Sequence, residues 1–407
     1  MIRDNNTRVA CALDAPYTKQ EPGRTARKET AGMYDLLQHT DIADIGDKVL
    51  AGERLDFDDG VRLFRTPYIN AVGWLAHQVR TRLHDDRVYF VSNRQINPTN
   101  MCVYHCTFCA FAREARTQEG AYEMTLDEVV AKAEVLQDAH ELHIVGGMHP
   151  DWKFEHYLDI LRVLHERFPQ MPLKAYTAVE IAWCADISGL TERQVLERMI
   201  EVGLSSLPGG GAEVFHPEVR QKLCPEKADA DRWLRIHRTA HELGLRSNAT
   251  LLYGHIETAE HRVDHMLRLR ALQDETGGFF AFIPLAYHRD GNPLQKKVEG
   301  LETTGFEDLR TIAVGRLMLD NFPHIKSYWI MLGLHMAQTG LRYGASDMDG
   351  TVIEERITHA AGAKTPEVLS VDELVRLIRE AGMRPIQRDA LYNIVREWDA
   401  APAVAHA

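Results

Sequence analysis

Three cysteines stand close together in one short stretch of the chain, Cys102, Cys106 and Cys109. Their C-x3-C-x2-C spacing, with Phe108 directly before the last cysteine, puts three thiolates on a single loop. Such a set can hold three corners of an iron–sulfur cube and leave the fourth iron open to a small ligand, whereas a fourth cysteine would suggest plain electron transfer. The stretch therefore predicts a metal centre that carries out chemistry.

A structural zinc site is the alternative, because His105 lies inside the stretch and could serve as a fourth ligand. Zinc ligands commonly come as paired C-x2-C knuckles, however, and no second knuckle follows. A non-catalytic zinc or iron–sulfur protein is thus the remote hypothesis. The other cysteines, Cys11, Cys184 and Cys224, are scattered singly and are expected to be small buried residues. This cysteine usage, with no signal peptide, predicts a reducing cytoplasmic location.

The elements that must position the thiolates are predicted by strand-like and helix-like runs that alternate from Val88 onward, as is typical of βαβ units. The strand candidates are residues 88–92, 141–146, 173–179, 205–208, 247–253, 279–285, 325–331 and 345–352. Amphipathic segments separate them. We therefore predict an α/β fold, a TIM-type (β/α)8 barrel over residues 87–360.

Additions flank the predicted barrel on both sides. Residues 1–30 are polar and lack periodic apolar positions, so we expect a poorly ordered leader. Residues 31–86 show helical spacing of apolar positions and should form an N-terminal helical cap. Residues 361–407 should form a C-terminal helical extension, because residues 365–398 contain two further helix-like runs.

Charge and hydropathy argue against two kinds of partner. The 407 residues include 59 acidic and 47 basic side chains, a formal net charge of −12. Nucleic-acid binding by counterion release needs clustered Lys and Arg, which this balance does not supply. No apolar run approaches the roughly 20 residues of a membrane-spanning helix. We therefore expect a small-molecule substrate, no nucleic acid and no membrane span.

Glycines and polar residues follow several predicted strands, where the reactive groups of TIM-type barrels lie. Gly146 and Gly147 follow the second strand, Glu180 follows the third, and Asn248 lies on the fifth. Glycine lets the backbone approach a ligand closely, and a carboxylate accepts hydrogen bonds from hydroxyl or ammonium groups. A tight turn and a solvated loop acid are the plain alternatives. We predict all four as cofactor-binding residues.

Further candidates lie at the same predicted edge of the barrel. His288 is the first imidazole after the sixth strand, and we predict it as the catalytic residue because histidine can relay protons near neutrality. A packed or exposed histidine is the alternative. The residues predicted to contact substrate are His149, Gly210, Tyr253, His255 and Arg289.

The cysteine stretch and the glycines after the second strand resemble those of the radical S-adenosylmethionine (SAM) enzymes. This resemblance implies a [4Fe–4S] cluster on the three cysteines, whose open iron binds SAM through its amino and carboxylate groups. It implies reductive cleavage of SAM to methionine and a 5'-deoxyadenosyl radical, with the electron supplied by a reductant such as flavodoxin or ferredoxin. It also implies that Gly146 and Gly147 hydrogen-bond the methionine ammonium.

A narrower resemblance covers residues 30–400. The segments NPTNMCVYHCTFCAF, HIVGGMHPDW, LPGGGAEVF and LQDETGGFFAFIPLAYH are similar to those of the aminodeoxyfutalosine synthase family of the futalosine route to menaquinone. The implied reaction adds the radical to 3-[(1-carboxyvinyl)oxy]benzoate and gives 6-amino-6-deoxyfutalosine, methionine and bicarbonate. The cyclic dehypoxanthine futalosine synthases and the deazaflavin (FO) synthase subunits share the cysteine stretch and the glycines, and they are the alternative families.

Overall fold

The main sheet of the molecule consists of parallel strands that follow one another in chain order. The computed structural model describes residues 32–134, 139–296 and 303–399. Its strands are β1 (Arg87–Val91), β2 (Asn93–Ile96), β3 (Glu141–Ile144), β4 (Leu173–Ala175), β5 (Leu204–Leu207), β6 (Arg246–Tyr253), β7 (Phe279–Ala286), β8 (His324–Ile325), β9 (Asp347–Gly350), β10 (Arg384–Arg388) and β11 (Ile394–Glu397). Strands β2 to β8 form one sheet in which each strand is parallel to the next.

The segment that contains β9 closes this sheet into a ring. Asp347 forms a parallel bridge with Lys326 just after β8, and Ile353 forms a parallel bridge with Arg94 of β2. The backbone N–H of Gln95 donates to the carbonyl of Ile353 at 3.0 Å. Eight strand segments thus surround one core, and the predicted α/β TIM-type barrel is confirmed.

Helices fill the connections outside the strands. They are α1 (Ala43–Ala51), α2 (Phe57–Arg65), α3 (Ile69–His84), α4 (Leu126–Glu134), α5 (Phe154–Arg167), α6 (Ala178–Ser188), α7 (Glu192–Glu201), α8 (Pro217–Leu223), α9 (Ala230–Glu242), α10 (Ala259–Thr276), α11 (Gly305–Met318), α12 (Trp329–Leu332), α13 (Leu334–Gly340), α14 (Ile357–Ala360) and α15 (Val371–Glu380). At least one helix follows each strand from β2 to β8, as parallel pairing requires. Of the helices in the described ranges, none combines the length and the apolar character needed to cross a bilayer.

Helices α1 to α3 occupy the region predicted as the N-terminal cap. Helix α3 packs along α11, and α2 packs against α10 and α11. Between α1 and α2, the guanidinium of Arg54 binds Asp274 at 2.6 Å and Asp320 at 2.9 Å. The three helices therefore lie on the flank of the barrel, outside its own helices. The domain boundaries stay predictions.

The prediction that residues 88–92 form the first barrel strand is wrong. Strand β1 lies there, but it belongs to a second sheet with the order β11-β10-β1-β9. The first barrel strand is β2, whose sequence NRQI is mostly polar and yet fully buried. Apolar runs predict strands that pack in hydrophobic surroundings. They therefore predict β1, whereas the polar sequence of β2 gives no such signal.

Two other predicted strands are shorter than expected. Of residues 173–179, only those up to Ala175 are extended, because Thr177 begins helix α6 as its N-cap. Of residues 325–331, only the start belongs to β8, and helix α12 begins at Trp329. A short apolar run suits a buried helix as well as a buried strand, so the pattern alone does not separate them.

The prediction of two C-terminal helices is also wrong. Helix α15 is followed by β10, which lies parallel to β1 with Ile386 opposite Tyr89, and then by the antiparallel β11. Pairing with β1 is a long-range contact that overrides weak local helix preference. Residues 1–31, which include the predicted leader, and residues 400–407 lie outside the described residues.

Candidate functional site

A cavity of about 310 Å³ lies at the carboxyl ends of the barrel strands. Residues on or just after every strand from β2 to β9 contribute to its lining. The predicted site residues that line it are Cys102, Cys106, Cys109, Gly146, Gly147, Glu180, Gly210, Asn248 and His288. The structure thus brings the three thiols together with the predicted cofactor-binding residues.

Neighbouring connections hold the cysteine loop in place. The backbone N–H of Val103 donates to the carbonyl of Met148 at 3.0 Å, which joins the loop to the end of β3. The backbone N–H of Thr107 donates to the carbonyl of Leu223 at 2.8 Å, which joins it to the end of α8. Because these anchors lie on different barrel connections, the loop has a defined position over the cavity.

The three thiols are free, and two of them face backbone N–H donors. The backbone N–H of Tyr104 lies 3.5 Å from Sγ of Cys102, and that of Ala112 lies 3.4 Å from Sγ of Cys109. Burial raises the pKa of the Cys102 thiol and raises that of Cys106 to about 12. Metal must therefore displace protons on binding. Three free thiols on one loop, with amide donors to sulfur, fit a [4Fe–4S] cluster.

His105 does not complete a zinc site with these thiols. Its ring Nδ1 lies 3.2 Å from both carboxylate oxygens of Glu226, and its backbone N–H donates to the same carboxylate at 2.7 Å. In the described part of the chain, no three Cys, His, Asp or Glu side chains are grouped for a single metal ion. The zinc hypothesis lacks the fourth ligand that it requires.

Gly147 is the point where the backbone after β3 touches the cysteine loop. A Cβ atom at Gly147 would lie 2.1 Å from the carbonyl oxygen of Met101 and 3.1 Å from the Cβ of Cys102. A Cβ atom at Gly146 would lie 3.1 Å from the carbonyl oxygen of Thr99. Within the described ranges, no protein group donates to the carbonyl of either glycine. Both carbonyls can therefore accept hydrogen bonds from a ligand.

Gly147→Ala is expected to disturb the cysteine loop, because the new methyl group meets backbone atoms that cannot rotate away. Overpacking of this kind costs about 1–3 kcal/mol, and here it falls on the peptide next to Cys102. Gly146→Ala is the matched control with the milder contact. Iron content and visible absorbance after anaerobic reconstitution should fall in the first variant and persist in the second. Equal cluster loading in both variants would contradict the close-contact argument.

Glu180 links the ends of β3 and β4. Its carboxylate accepts from the backbone N–H of Gly146 at 3.0 Å and from that of Thr177 at 2.7 Å. With Thr177 it forms the capping box of α6, and burial raises the pKa of Glu180 to about 7. The sequence predicted a free acceptor on a loop after a strand. The structure shows a buried acid in the first turn of a helix, and backbone groups use part of its acceptor capacity.

Asn248 and Gly210 lie on the neighbouring wall. Asn248 is buried on β6, and its Oδ1 has no donor among the described residues. A buried amide oxygen of this kind is expected to meet a ligand or water. Gly210 stands between Gly209 and Gly211, whose φ angles of 87° and 83° need glycine. Gly209 and Gly211 therefore form a turn that places Gly210 in the cavity wall, and its role as a substrate contact stays a prediction.

Four predicted substrate contacts do not line the cavity, namely His149, Tyr253, His255 and Arg289. The Nε2 of His149 lies 2.9 Å from Glu123, and the Nδ1 of His255 lies 2.8 Å from Glu257. Tyr253 is buried and its hydroxyl donates to a neighbouring carboxylate at 2.7 Å. A residue after a strand is on the reactive edge of the barrel, but its neighbours decide whether its side chain turns inward. The structure does not bring these four to the site.

His288 lines the cavity, as predicted, but in a neutral state. Its Nε2 lies 3.2 Å from the carbonyl oxygen of Met331, which can only accept, so Nε2 carries the proton. Burial lowers the pKa of His288. The free Nδ1 is then a hydrogen-bond acceptor, and the ring is not a cation for a substrate carboxylate.

Lys227 is a site residue that the sequence analysis missed. It lines the cavity, its Nζ donates to Glu213 at 2.7 Å, and it lies 5.2 Å from the ring centre of Phe108. Burial acts to lower the pKa of Lys227, but the thiolate form of Cys106 and the carboxylate of Glu213 outweigh burial and raise that pKa well above its usual value. The lysine therefore puts a positive charge at the cysteine end of the cavity.

Lys326 is the second missed lysine. It follows β8 directly, lines the cavity and pairs with Asp349 of β9. No signal in the sequence separated it from a surface lysine, because its partner is distant along the chain. The cavity thus has an ammonium group at each of two places, and that of Lys326 is buried.

Comparison with known proteins agrees with this site. Residues 96–269 match the Radical SAM superfamily, and residues 276–401 match the CofH/MqnC C-terminal region. The chain is 51% identical over 362 residues to an aminodeoxyfutalosine synthase of Thermus thermophilus, with 88% of this chain and 97% of that protein covered. A protein of the same name from Streptomyces coelicolor is 46% identical over 364 residues, with 86% and 93% covered.

Archaeal relatives have a different name. A 5-amino-6-(D-ribitylamino)uracil--L-tyrosine 4-hydroxyphenyl transferase of Methanopyrus kandleri is 41% identical over 327 residues, with 79% of this chain and 88% of that protein covered. The identity is lower than for the two bacterial relatives. The chain therefore shares most of its length with proteins of two different reactions.

Solved structures show the same fold. Methylornithine synthase matches with a TM-score of 0.67 at 18% identity, with 84% of this chain and 96% of that chain covered. The FeFe-hydrogenase maturase HydG from Carboxydothermus hydrogenoformans matches with a TM-score of 0.66 at 16% identity, with 89% and 86% covered. Such identities show the fold alone. The barrel, the cysteine loop and the sequence relatives agree: the chain belongs to the radical SAM superfamily, within the aminodeoxyfutalosine synthase family, which implies a [4Fe–4S] cluster and SAM as cofactors.

Proposed function

We propose that this protein adds the 5'-deoxyadenosyl group of SAM to 3-[(1-carboxyvinyl)oxy]benzoate and thereby makes 6-amino-6-deoxyfutalosine for menaquinone biosynthesis. Methionine and bicarbonate are the other products. The observation that carries the proposal is the pair of aminodeoxyfutalosine synthases at 51% and 46% identity, aligned over most of their lengths. The cavity supports it, because free thiols, backbone acceptors and two lysines line one space.

The cofactors supply the adenosyl radical when they are bound, and the chain holds and shields them. We assign the three cysteines as ligands of the cluster. We assign the carbonyls of Gly146 and Gly147 as acceptors for the methionine ammonium, and Glu180 as the residue that positions Gly146. Asn248 is assigned as a polar contact to the cofactor, because its Oδ1 is buried and unpaired within the described residues.

Apolar side chains form much of the remaining wall. Leu252, Ile283, Leu285 and Met331 line the cavity and offer no polar atoms from their side chains. Such a wall excludes water from the cavity, which strengthens the polar contacts that hold the cofactor and the substrate. Addition to the alkene then depends on how the substrate is held against C5' of the adenosyl group.

We propose that His288 contributes to this positioning through its free Nδ1, which can accept a hydrogen bond from a ribose hydroxyl or the adenine amino group of SAM, because the substrate's carboxylate and ether oxygens offer no donor. His288→Ala with the true substrate should shift product from the adenosyl adduct towards free 5'-deoxyadenosine. A lost hydrogen bond supports a change of about tenfold at most in that ratio. The exposed His335→Ala variant is the control and should leave the ratio unchanged. Equal ratios in wild-type enzyme and His288→Ala would remove His288 from the site.

A second function is favoured by the Methanopyrus relative, whose name describes transfer of a hydroxyphenyl group from L-tyrosine to a ribitylaminouracil. Two anaerobic reactions under reducing conditions separate the two functions, one with the benzoate enol ether and one with the uracil and tyrosine. Mass spectrometry should find an adenine-containing adduct in the first reaction and no coupled product in the second. A coupled product in the second reaction alone would overturn the proposal.

We also propose the partners and location that the family implies. A low-potential electron carrier such as flavodoxin or ferredoxin would reduce the cluster, and the oxygen sensitivity of such a cluster suits the cytoplasm. The net charge of −12 supports the absence of a nucleic-acid partner.

A further inference from the structure

The two cavity lysines are held in the same unusual way. Lys227 pairs with Glu213, and Lys326 pairs with Asp349. Both acids have a left-handed backbone, with φ of 47° for Glu213 and 72° for Asp349. A non-glycine residue in this conformation costs free energy and persists where the surrounding structure imposes it, commonly at functional sites. Each acid is therefore fixed in the place where it orients an ammonium group.

Lys326 still has donors to offer after this pairing. Its side chain is 2% exposed, and its ammonium group has three N–H donors, one of which donates to Asp349. The acids behind it have partners of their own, since Asp347 accepts from Arg388 at 2.8 Å and Glu141 pairs with Lys174. Among the described residues, no other acceptor reaches Nζ of Lys326. A buried ammonium with free donors, lining a cavity, is suited to bind an anion.

The two lysines serve different ends of the cavity. Lys227 lies against Phe108 of the cysteine loop, so its charge belongs to the cluster and cofactor end. Lys326 is the one other Lys or Arg in the lining formed by the described residues. Tyr328 and Met331, which follow Lys326 closely in the chain, also line the cavity and provide aromatic and apolar surface for a ring. An aryl carboxylate matches this combination of charge and surface.

We propose that Lys326, oriented by Asp349, binds the ring carboxylate of the substrate and so sets specificity for a meta-carboxylated aryl ether. This inference rests on the proposed function. Of the two carboxylates of that substrate, the vinyl carboxylate is lost in the reaction, whereas the ring carboxylate is retained in the product. The ring carboxylate alone can anchor the molecule from binding to release, while bonds rearrange at the other end.

The test measures binding to the anaerobic, cluster-loaded enzyme with SAM and without reductant, so that nothing turns over. Three probes are used: the full substrate, 3-(ethenyloxy)benzoate, which lacks the vinyl carboxylate, and 2-phenoxyprop-2-enoate, which lacks the ring carboxylate. Lys326→Met should weaken the first two about 10- to 100-fold, the range for a charge-assisted hydrogen bond, and leave the third within about twofold. Lys153→Met removes an exposed lysine and should change none of the affinities.

Equal weakening of all three probes, or weakening of 2-phenoxyprop-2-enoate alone, would overturn the assignment of Lys326. Lys326→Gln replaces the methionine variant if circular dichroism shows that the latter is misfolded, and the same pattern is expected. Wild-type turnover in parallel keeps the two claims apart. An adenosyl adduct without the predicted binding pattern refutes only the lysine assignment, whereas no adduct from wild-type enzyme refutes the proposed function and this inference with it.

Discussion

Replacing Cys102, Cys106 or Cys109 by Ala is expected to abolish both the cluster and turnover. Each change removes one of the three thiols of the loop. Among the described residues, no His, Asp or Glu side chain is placed to replace the lost thiol as a metal ligand, and His105 is paired with Glu226. Wild-type protein reconstituted anaerobically should contain about four iron and four sulfide per chain, and each variant should lose most of both. Iron and sulfide analysis with electron paramagnetic resonance measures the effect.

Cys184→Ala is the matched control for these variants. Cys184 is a buried thiol on α6 that does not line the cavity. Its removal should lower stability by the loss of buried sulfur, yet the iron content should stay at the wild-type level. Zinc at about one atom per chain, with no iron after reconstitution, would instead support the structural metal site.

A substrate analogue without the vinyl carboxylate is expected to uncouple SAM cleavage from product formation. When the adenosyl radical adds to the alkene, the unpaired electron moves to the carbon that bears this carboxylate, which stabilises it. With 3-(ethenyloxy)benzoate that stabilisation is absent, and free 5'-deoxyadenosine should replace the adduct by a factor of about ten or more. Quantitative mass spectrometry of both adenosyl products gives the ratio.

The complementary analogue separates orientation from radical stability. 2-Phenoxyprop-2-enoate keeps the vinyl carboxylate and lacks the ring carboxylate, so it should bind more weakly through the loss of its contact with Lys326. Once bound at saturating concentration, it should still give mainly adduct. The argument about the adduct radical fails if both analogues give the same ratio of adduct to 5'-deoxyadenosine as the true substrate.

The cysteine loop could be predicted because its chemistry is local. Three thiols within one short stretch share a loop in any fold. The glycines after β3 lie directly against this loop, where an added Cβ atom would come too close to its backbone. The capping box formed by Thr177 and Glu180 also has a sequence signature, T-x-x-E. This motif marks the start of α6 within the residues predicted as the third strand.

Long-range pairing made the rest unpredictable. Strand β2 is polar because its buried side chains belong to networks with distant residues, for example Arg94 with Glu354 at 2.9 Å. Lys326 lines the cavity and pairs there with Asp349, whereas His255 pairs with Glu257 in the protein interior and does not line the cavity. Residue type and strand-end position identify the reactive edge of the barrel, whereas the partners of each side chain decide which residues enter the cavity.

The most direct test of the proposed function follows the adenosyl group itself. Enzyme, reductant and 3-[(1-carboxyvinyl)oxy]benzoate are incubated anaerobically with SAM that carries carbon-13 in its adenosyl group, and the products are separated by mass spectrometry. We predict that the label appears in one product that contains both adenine and the benzoate ring, with one methionine formed per adduct. Label found only in free 5'-deoxyadenosine, beside an aryl product without label, would contradict the account.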